Sequence, residues 1–374
     1  MAESGVTEAN FTRRLEGYQA RVNSAINGYI EREREDLAQG HGDVNDFVAE
    51  SYLDLLSRGN RVRGVLTIAG YEMAGGMNEG FIDEAALAVE IPQTSMVAID
   101  DVQDESNKRR GGDAIHKLIS EEFEHIGWHE DRMNRDSQNT ASNSGHSRIH
   151  KAARIILSLN VDPSITVQAI DKFHEIMEKT GEGQNRDLYL SGRIEPASYE
   201  EIIESMREKT GLYTVLGPLQ IGIILADGSP IGVHLIEDFA LNAGIAFQIA
   251  NDLKIVRKTG DDAADSAKPD DIQGNKQTLL THYALMNAEL ADAQFLMGTL
   301  GKQDLTGEEL AECQRIFIES GAVDFARGEM EMYMTQALDA LHAQAHRWTP
   351  DGVQFLAFLS KQLIKNAGSS ERPA

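Results

Sequence analysis

At 374 residues the chain has room for two domains, and with 41% hydrophobic and 25% charged residues it can bury a sizeable core. Its formal net charge of −25 argues against a nucleic-acid partner, which needs a basic face, and against broad attachment to anionic membranes. Cys313 is the single cysteine, so no intrachain disulfide can form and a reducing, cytoplasmic setting is expected.

In chain order, the opening MAESGVTEAN lacks the basic and apolar regions of a signal peptide. Phe11 to about Asp36 reads as an amphipathic helix ending in the charged run EREREDL, a solvated face. His41–Asn45 is a break, helical spacing resumes over Phe47–Leu56, and the arginine-rich SRGNRVRG occupies Ser57–Gly64. Asp83 is the expected N-cap of a long helix that carries Glu90, Gln93 and a terminal acidic stretch. Pro92 is a kink within it, since the apolar periodicity continues through Met96, Val97 and Ile99.

That acidic stretch, AIDDVQDESNKRRG over Ala98–Gly111, organises the chain. Asp100 and Asp104 share a helix face one turn apart, and Asp101 neighbours Asp104 at three residues. Three carboxylates on one stripe repel one another unless a cation sits among them, and hard oxygen ligands suit Mg²⁺ completed by substrate phosphates. Arg109 and Arg110, five residues on, carry fixed charges whose forks match phosphate oxygens. The same letters also suit a solvated acidic helix end beside a basic turn.

Asp131–Ser147, polar and irregular, reads as a loop, followed by the helical IHKAARIILSL. The flanking His125, His129, His146 and His150 form two i, i+4 pairs but no zinc motif. Ile165–Leu188 is a further long helix bearing Gln184 and Asp187, and Tyr199 begins another that reaches Lys209 and Thr210. Gly211–Ala226 is the most apolar window; it is short and contains Pro218, which fits a buried core helix better than a membrane span. Ile236–Val256 carries FQIANDLKI, with Gln248, Asn251 and Asp252. Thr259–Gln277 reads as a loop whose Asp261, Asp262 and Asp265 are surface charges, and the remainder is helical to about His346 and again after Pro350 to about Asn366, before a frayed tail.

Ala98–Gly111 resembles the first aspartate-rich motif of the trans-polyprenyl diphosphate synthases (farnesyl and geranylgeranyl diphosphate synthase-like), DDxxD followed by four residues and RRG. The resemblance extends over roughly Arg58 to Lys276. In it, Gly59, Arg61 and Arg63 match the family's GGKRLRP, which binds the diphosphate of isopentenyl diphosphate. Asn60 stands where that family has lysine and Gly64 where it has proline. Gln93 matches a substrate-binding His or Gln, Gln184 and Asp187 a QxxD, and Lys209 and Thr210 a KT step. Gln248 matches the glutamine of FQ, and Lys268, Asp271 and Lys276 match the segment after the second aspartate-rich motif. That second motif departs from DDxxD, because Asn251 replaces the first aspartate and Ile255 the last.

The resemblance implies an all-α, single-domain isoprenoid synthase fold over the whole chain, about a dozen helices around a central cavity, with the two acidic helices facing one another at its mouth. It implies up to three Mg²⁺ ions held by Asp100, Asp101, Asp104, Asn251, Asp252 and Asp271. Those ions would bind an allylic diphosphate assisted by Arg109, Lys209 and Lys276, while Arg63, Gln93 and Arg110 hold isopentenyl diphosphate. Arg61, Gln184, Thr210 and Gln248 complete the implied substrate contacts, Lys209 serving catalysis by holding the leaving pyrophosphate. The implied assembly is a homodimer without stable membrane insertion. A product of about C20 or longer is expected, with a tunnel floor at Ser95 or Met96, of which only one should point inward. A class I terpene synthase, an unusual prenyl-coupling enzyme and a weakly catalytic subunit of a heteromeric synthase remain alternatives, the last motivated by NDLKI and the missing lysine.

Overall fold

The computed structural model describes residues 8–39, 44–77, 80–104, 106–227, 230–256 and 270–368. In chain order the helices are α1 (Glu8–Leu37), α2 (Val44–Ser57), α3 (Val62–Met73), α4 (Phe81–Gln103), α5 (Ile115–His125), α6 (Glu130–Leu157), α7 (Pro163–Ser191) and α8 (Tyr199–Met206). A π-helical segment, Arg207–Leu216, leads into α9 (Gly217–Asp227), α10 (Pro230–Leu235) and α11 (Glu237–Asp252). Then come α12 (Asp270–Gln273), α13 (Leu279–Asn287), α14 (Leu290–Thr299), α15 (Gly307–Glu319), α16 (Ala322–Ala343) and α17 (Pro350–Gly368). Among the described residues, the only strands are β1 (Lys108–Arg109) and β2 (Gly112–Asp113), a two-stranded antiparallel ladder. The all-α expectation stands. Most of the expected break at His41–Asn45, all of Lys268, Asp261, Asp262 and Asp265, and the tail after Gly368 fall outside the described residues.

The chain divides into two compact units, residues 1–173 with 218–230, and residues 174–217 with 231–374. In the first, α4 is the central helix. Every residue from Ala85 to Pro92 is buried, so α4 shows no polar face over that stretch and must be surrounded. Around it, α1 turns inward Phe11, Tyr18, Val22, Ile26, Tyr29 and Ile30, a stripe at helical spacing. Pro92 lies inside α4, as expected. Asp83 is not the N-cap: that position is Gly80, and Asp83 sits in the first turn, accepting from Arg21 Nε at 2.8 Å. An acid there still favours the helix dipole.

The larger correction concerns Asp131–Ser147, which is not a loop but the body of α6. Its buried residues are mostly small and recur at helical spacing: Ser137, Ala141, Gly145, Ala152 and Ala153, with Arg148 and Ile156. Such a stripe carries little hydrophobic signal, yet it lets α6 lie close against its neighbours. Tyr52 of α2 donates to the Ala141 carbonyl at 2.7 Å, and a methyl group on Gly145 would come within 3.1 Å of the Tyr52 hydroxyl. Close approach replaced apolar bulk as the helix-forming force.

In the second unit, α11 buries Phe239, Ala240, Ala243, Gly244, Ala246, Ile249 and Ala250. The π-helical segment packs directly on it: a methyl group on Gly244 would lie 2.4 Å from the Gly211 Cα. α8 opens with a capping box in which Ser198 accepts from the Glu201 N–H and the Glu201 carboxylate accepts from Ser198. The continuous helical stretch Tyr199–Ala226 is long and apolar enough to cross a membrane by composition, but 83% of its apolar window is buried within the protein. That is the placement of a core helix.

Candidate active site

Within the first unit, the last turn of α4 presents Asp100, Asp101 and Asp104. A helix C-terminus is a poor place for carboxylates, because the unsatisfied carbonyls there already carry partial negative charge. The compensation comes from the next few residues. Arg110 and Gly111 have φ of 50° and 78°, and together they form the two-residue turn between β1 and β2. This tight turn folds Arg109 back onto α4. Its Nε donates to Asp101 Oδ1 at 2.5 Å, and its Nη2 lies 3.7 Å from Asp100 Oδ2. Asp101 is 0% exposed, and its Oδ2 is buried with no hydrogen-bond partner. Burial pushes the Asp101 carboxyl up to about 6, against the pull of Arg109. Asp100 and Asp104 are only half-buried, so unlike Asp101 they keep part of their surface accessible.

Four arginines gather beside this turn. Burial pulls the Arg110 pKa down; buried Glu90 opposes that, and Arg63, Arg61 and Arg109 add to it by charge repulsion. Glu90 accepts from the Gly64 N–H at 2.8 Å. Proline at position 64 could not make that bond, which gives the Gly64 departure a physical reason. Sequence reasoning passed over Glu90 as a functional residue, although an acid inside the apolar run ALAVEIP was its signal. The arginines are not equivalent. Arg61, 4% exposed, gives its guanidinium to the Leu56 carbonyl (2.8 Å), the Ser57 carbonyl (2.7 Å) and Asn23 Oδ1 (2.7 Å). It braces the loop. Arg110 Nη1 donates to the Leu55 carbonyl at 3.0 Å and to the Arg58 carbonyl. Arg63 and Gln93 are half-buried, Arg63 in the first turn of α3 and Gln93 two turns before Asp100.

The second unit holds another cluster. Asp187 Oδ2 accepts from Lys209 Nζ and Lys276 Nζ, both at 2.8 Å. Burial works to raise the Asp187 pKa, but the two ammonium groups outweigh it and hold the carboxyl at about 2. Lys209 and Thr210 sit in the π-helical segment, whose wider turn displaces them from a regular helix face. Thr210 Oγ1 donates to Gln248 Oε1 at 2.7 Å, and Gln248 Nε2 donates to Asp252 Oδ1 at 2.8 Å. Asp252 is buried, and desolvation together with the nearby Asp271 pushes it well above the usual carboxylate range. Gln184, one turn before Asp187, is half-buried. Asn251 Oδ1 accepts from Lys254 Nζ at 2.8 Å, so its one ligating oxygen already has a cation. Ile255 is 4% exposed in a 3₁₀ turn, with its carbonyl taken by Gln314 Nε2. Position 255 is therefore part of the core rather than of a ligand-bearing face with Asn251.

Backbone conformation marks the same places. Among the described residues, the non-glycine residues with positive φ are Arg61, Arg110 and Asn275. Each adjoins or belongs to one of these clusters, as strained backbone at functional positions does. Nothing in the sequence announced the strain.

The sequence profile of the polyprenyl synthetase family matches residues 45–317. The chain belongs to that family. Polyprenyl synthetases are prenyltransferases, and this chain is one. It is 27% identical to the geranylgeranyl diphosphate synthase of Sulfolobus acidocaldarius over 325 residues, 86% of this chain and 88% of that one. It is 25% identical to the geranylfarnesyl diphosphate synthase of Aeropyrum pernix, over 76% and 83% of the two chains. A geranylgeranyl pyrophosphate synthase from Corynebacterium glutamicum, complexed with isoprenyl diphosphate and magnesium, superposes with a TM-score of 0.85. That likeness covers 94% of this chain and 99% of the other at 21% identity, and it is a likeness of fold.

Magnesium fits the residues present. Among the described residues no three acidic or imidazole side chains form a closed metal cage. An ion here would therefore take most of its ligands from water and substrate, which is how Mg²⁺ is usually held. The half-buried Asp100 and Asp104 supply carboxylate oxygen in the first unit, while in the second the crowding of Asp252 by Asp271 favours a proton on Asp252 that a bound cation would displace.

Proposed function

We propose that this polyprenyl synthetase joins an allylic diphosphate to isopentenyl diphosphate, releases pyrophosphate and yields geranylgeranyl diphosphate or a longer product. The single observation carrying the reading is the last turn of α4, where half-buried carboxylates meet a folded-back arginine and an arginine-rich loop. Asp100 and Asp104 would hold Mg²⁺, with Asp252 and Asp271 holding it in the other unit and Asn251 contributing less. Bound Mg²⁺ supplies Lewis-acid stabilisation of the departing pyrophosphate. Asp101 has a different part, fixing Arg109 beside the carboxylates so that its remaining donors meet phosphate oxygens. Lys209 and Lys276, oriented on Asp187, are the second unit's cations for a diphosphate group, and the Thr210–Gln248–Asp252 chain holds that cluster's side chains in place. Arg63, Gln93 and Arg110 serve isopentenyl diphosphate, with Arg61 and Glu90 bracing the loop that carries them. Departing pyrophosphate takes the proton lost from the new allylic product, so no side-chain base is required.

The buried Cys313 and the burial of Tyr199–Ala226 fit a cytoplasmic enzyme not integral to a membrane. The reading includes a homodimer, which sedimentation of the purified protein tests directly. The function is tested by incubating the protein with radiolabelled isopentenyl diphosphate, Mg²⁺ and each allylic primer in turn. Elongated diphosphates of C20 or more are expected. Hydrocarbon or alcohol products, or turnover only after a second protein is added, would overturn the reading.

A further inference from the structure

Arg58 has no assigned part in the reading above, yet it occupies a built position. It stands at the start of the loop that Arg61 and Arg110 brace, and its carbonyl accepts from Arg110 Nη1. Its own guanidinium lies across Gly112: a methyl group there would come within 2.5 Å of Arg58 Nη1. Gly112 closes the turn that carries Arg109 and Arg110. The Arg58 head is therefore seated on the turn that presents the other arginines, and a side chain at position 112 would push it off that seat. Its counter-ion is Asp54, one turn earlier on α2, at a site where the Arg58 side chain is 41% exposed. Such a pair holds a side chain in place but binds it weakly, so a diphosphate can recruit the guanidinium's free edge. Asn60, two residues on and exposed, brings no charge, and the Arg61 guanidinium is enclosed by carbonyls.

We propose that Arg58 is a substrate-binding residue for the diphosphate of isopentenyl diphosphate, positioned by Gly112. This rests on the function proposed above. Three variants, Arg58→Gln, Arg58→Lys and Gly112→Ala, together with the Arg58→Gln, Gly112→Ala double variant, test it by steady-state kinetics and by calorimetric titration with inorganic pyrophosphate. Arg58→Gln should raise the KM for isopentenyl diphosphate by roughly tenfold, the factor typical of one charged contact, while kcat and the allylic KM move less. Arg58→Lys should recover part of that loss. Gly112→Ala should cause a similar rise, and the double variant should be no worse than Arg58→Gln, since both act through one side chain. A KM within twofold of wild type in Arg58→Gln, or additive losses in the double variant, would overturn the inference. Absence of elongation by the wild-type protein would instead overturn the functional reading. The pyrophosphate titration then decides the role of Arg58 alone, through weaker or unchanged binding in Arg58→Gln.

Discussion

Two helices of this protein end in acid, and they solve the problem differently. At the end of α4 part of the answer is resident: the β1–β2 turn brings Arg109 onto Asp101, so one of the three carboxylates is paired by the protein itself. At the end of α11, Asp252 is buried with a glutamine donor and a second carboxylate nearby, and it resists ionisation. Lys209 and Lys276 of that unit pair with Asp187 instead. One end is charged and partly paired, whereas the other is short of positive charge. The lesson is that similar motif letters can mark carboxylates partly paired by a neighbouring arginine or ones held protonated by burial.

The largest test breaks the α4 end. Asp100→Ala and Asp104→Ala should each lower turnover by about two to three orders of magnitude or more, since a metal ligand supplies several kcal/mol of charge stabilisation. Circular dichroism melting should change little. Near-wild-type turnover in either variant would remove the proposed metal site. At the α11 end, Asp252→Asn should also lose activity, but the metal-free protein should melt higher than wild type, because a buried carboxylate disfavoured by its surroundings is gone. A lower melting temperature would show that Asp252 is already compensated.

Ile255→Asp, which on motif spacing alone would repair the second aspartate-rich motif, is expected to do harm. It places a carboxylate in a buried apolar position, at a cost of about 2 kcal/mol or more. The measurement is the urea midpoint, and restored Mg²⁺ dependence with unchanged stability would contradict the burial argument.

Asp187→Asn sharpens the contrast in solution. With its pKa depressed from 3.8 to about 2, ionised Asp187 stabilises the folded state by about 2 kcal/mol, an order-of-magnitude figure. The folded state binds fewer protons than the unfolded one between these values. The stabilisation is therefore full above pH 4 or so and is lost as pH falls towards 2. Wild type and Asp187→Asn should differ in stability at neutral pH and converge in acid. Parallel stability curves across that range would refute the coupling.

The smallest effect concerns product length. Ser95 is fully buried, whereas Met96 is half-buried one turn before Asp100, on the same helix face. Met96, rather than Ser95, is the residue we expect to limit a growing chain. Met96→Phe should shift products shorter, as read by chromatography of the dephosphorylated alcohols. Ser95→Phe should chiefly destabilise, by about 1–3 kcal/mol of overpacking. A shift confined to Ser95→Phe would reverse the assignment.

By itself the sequence determined the helical class, the long helices and the chemistry of the two clusters. Apolar spacing and the order Asp100–Asp101–Asp104–Arg109–Arg110 are local properties that survive without coordinates. It did not determine α6, because a stripe of Ser137, Ala141 and Gly145 gains its helix from close packing on Tyr52 and Ile99, which no window of sequence contains. Nor did it determine which like residues do unlike work. Asp101 is fully buried while Asp100 and Asp104 are half-buried, Arg61 is enclosed and braces its loop while Arg63 is half-buried, and Ile255 belongs to the core. Those distinctions depend on which neighbours burial brings to each side chain, and only the tertiary structure fixes that.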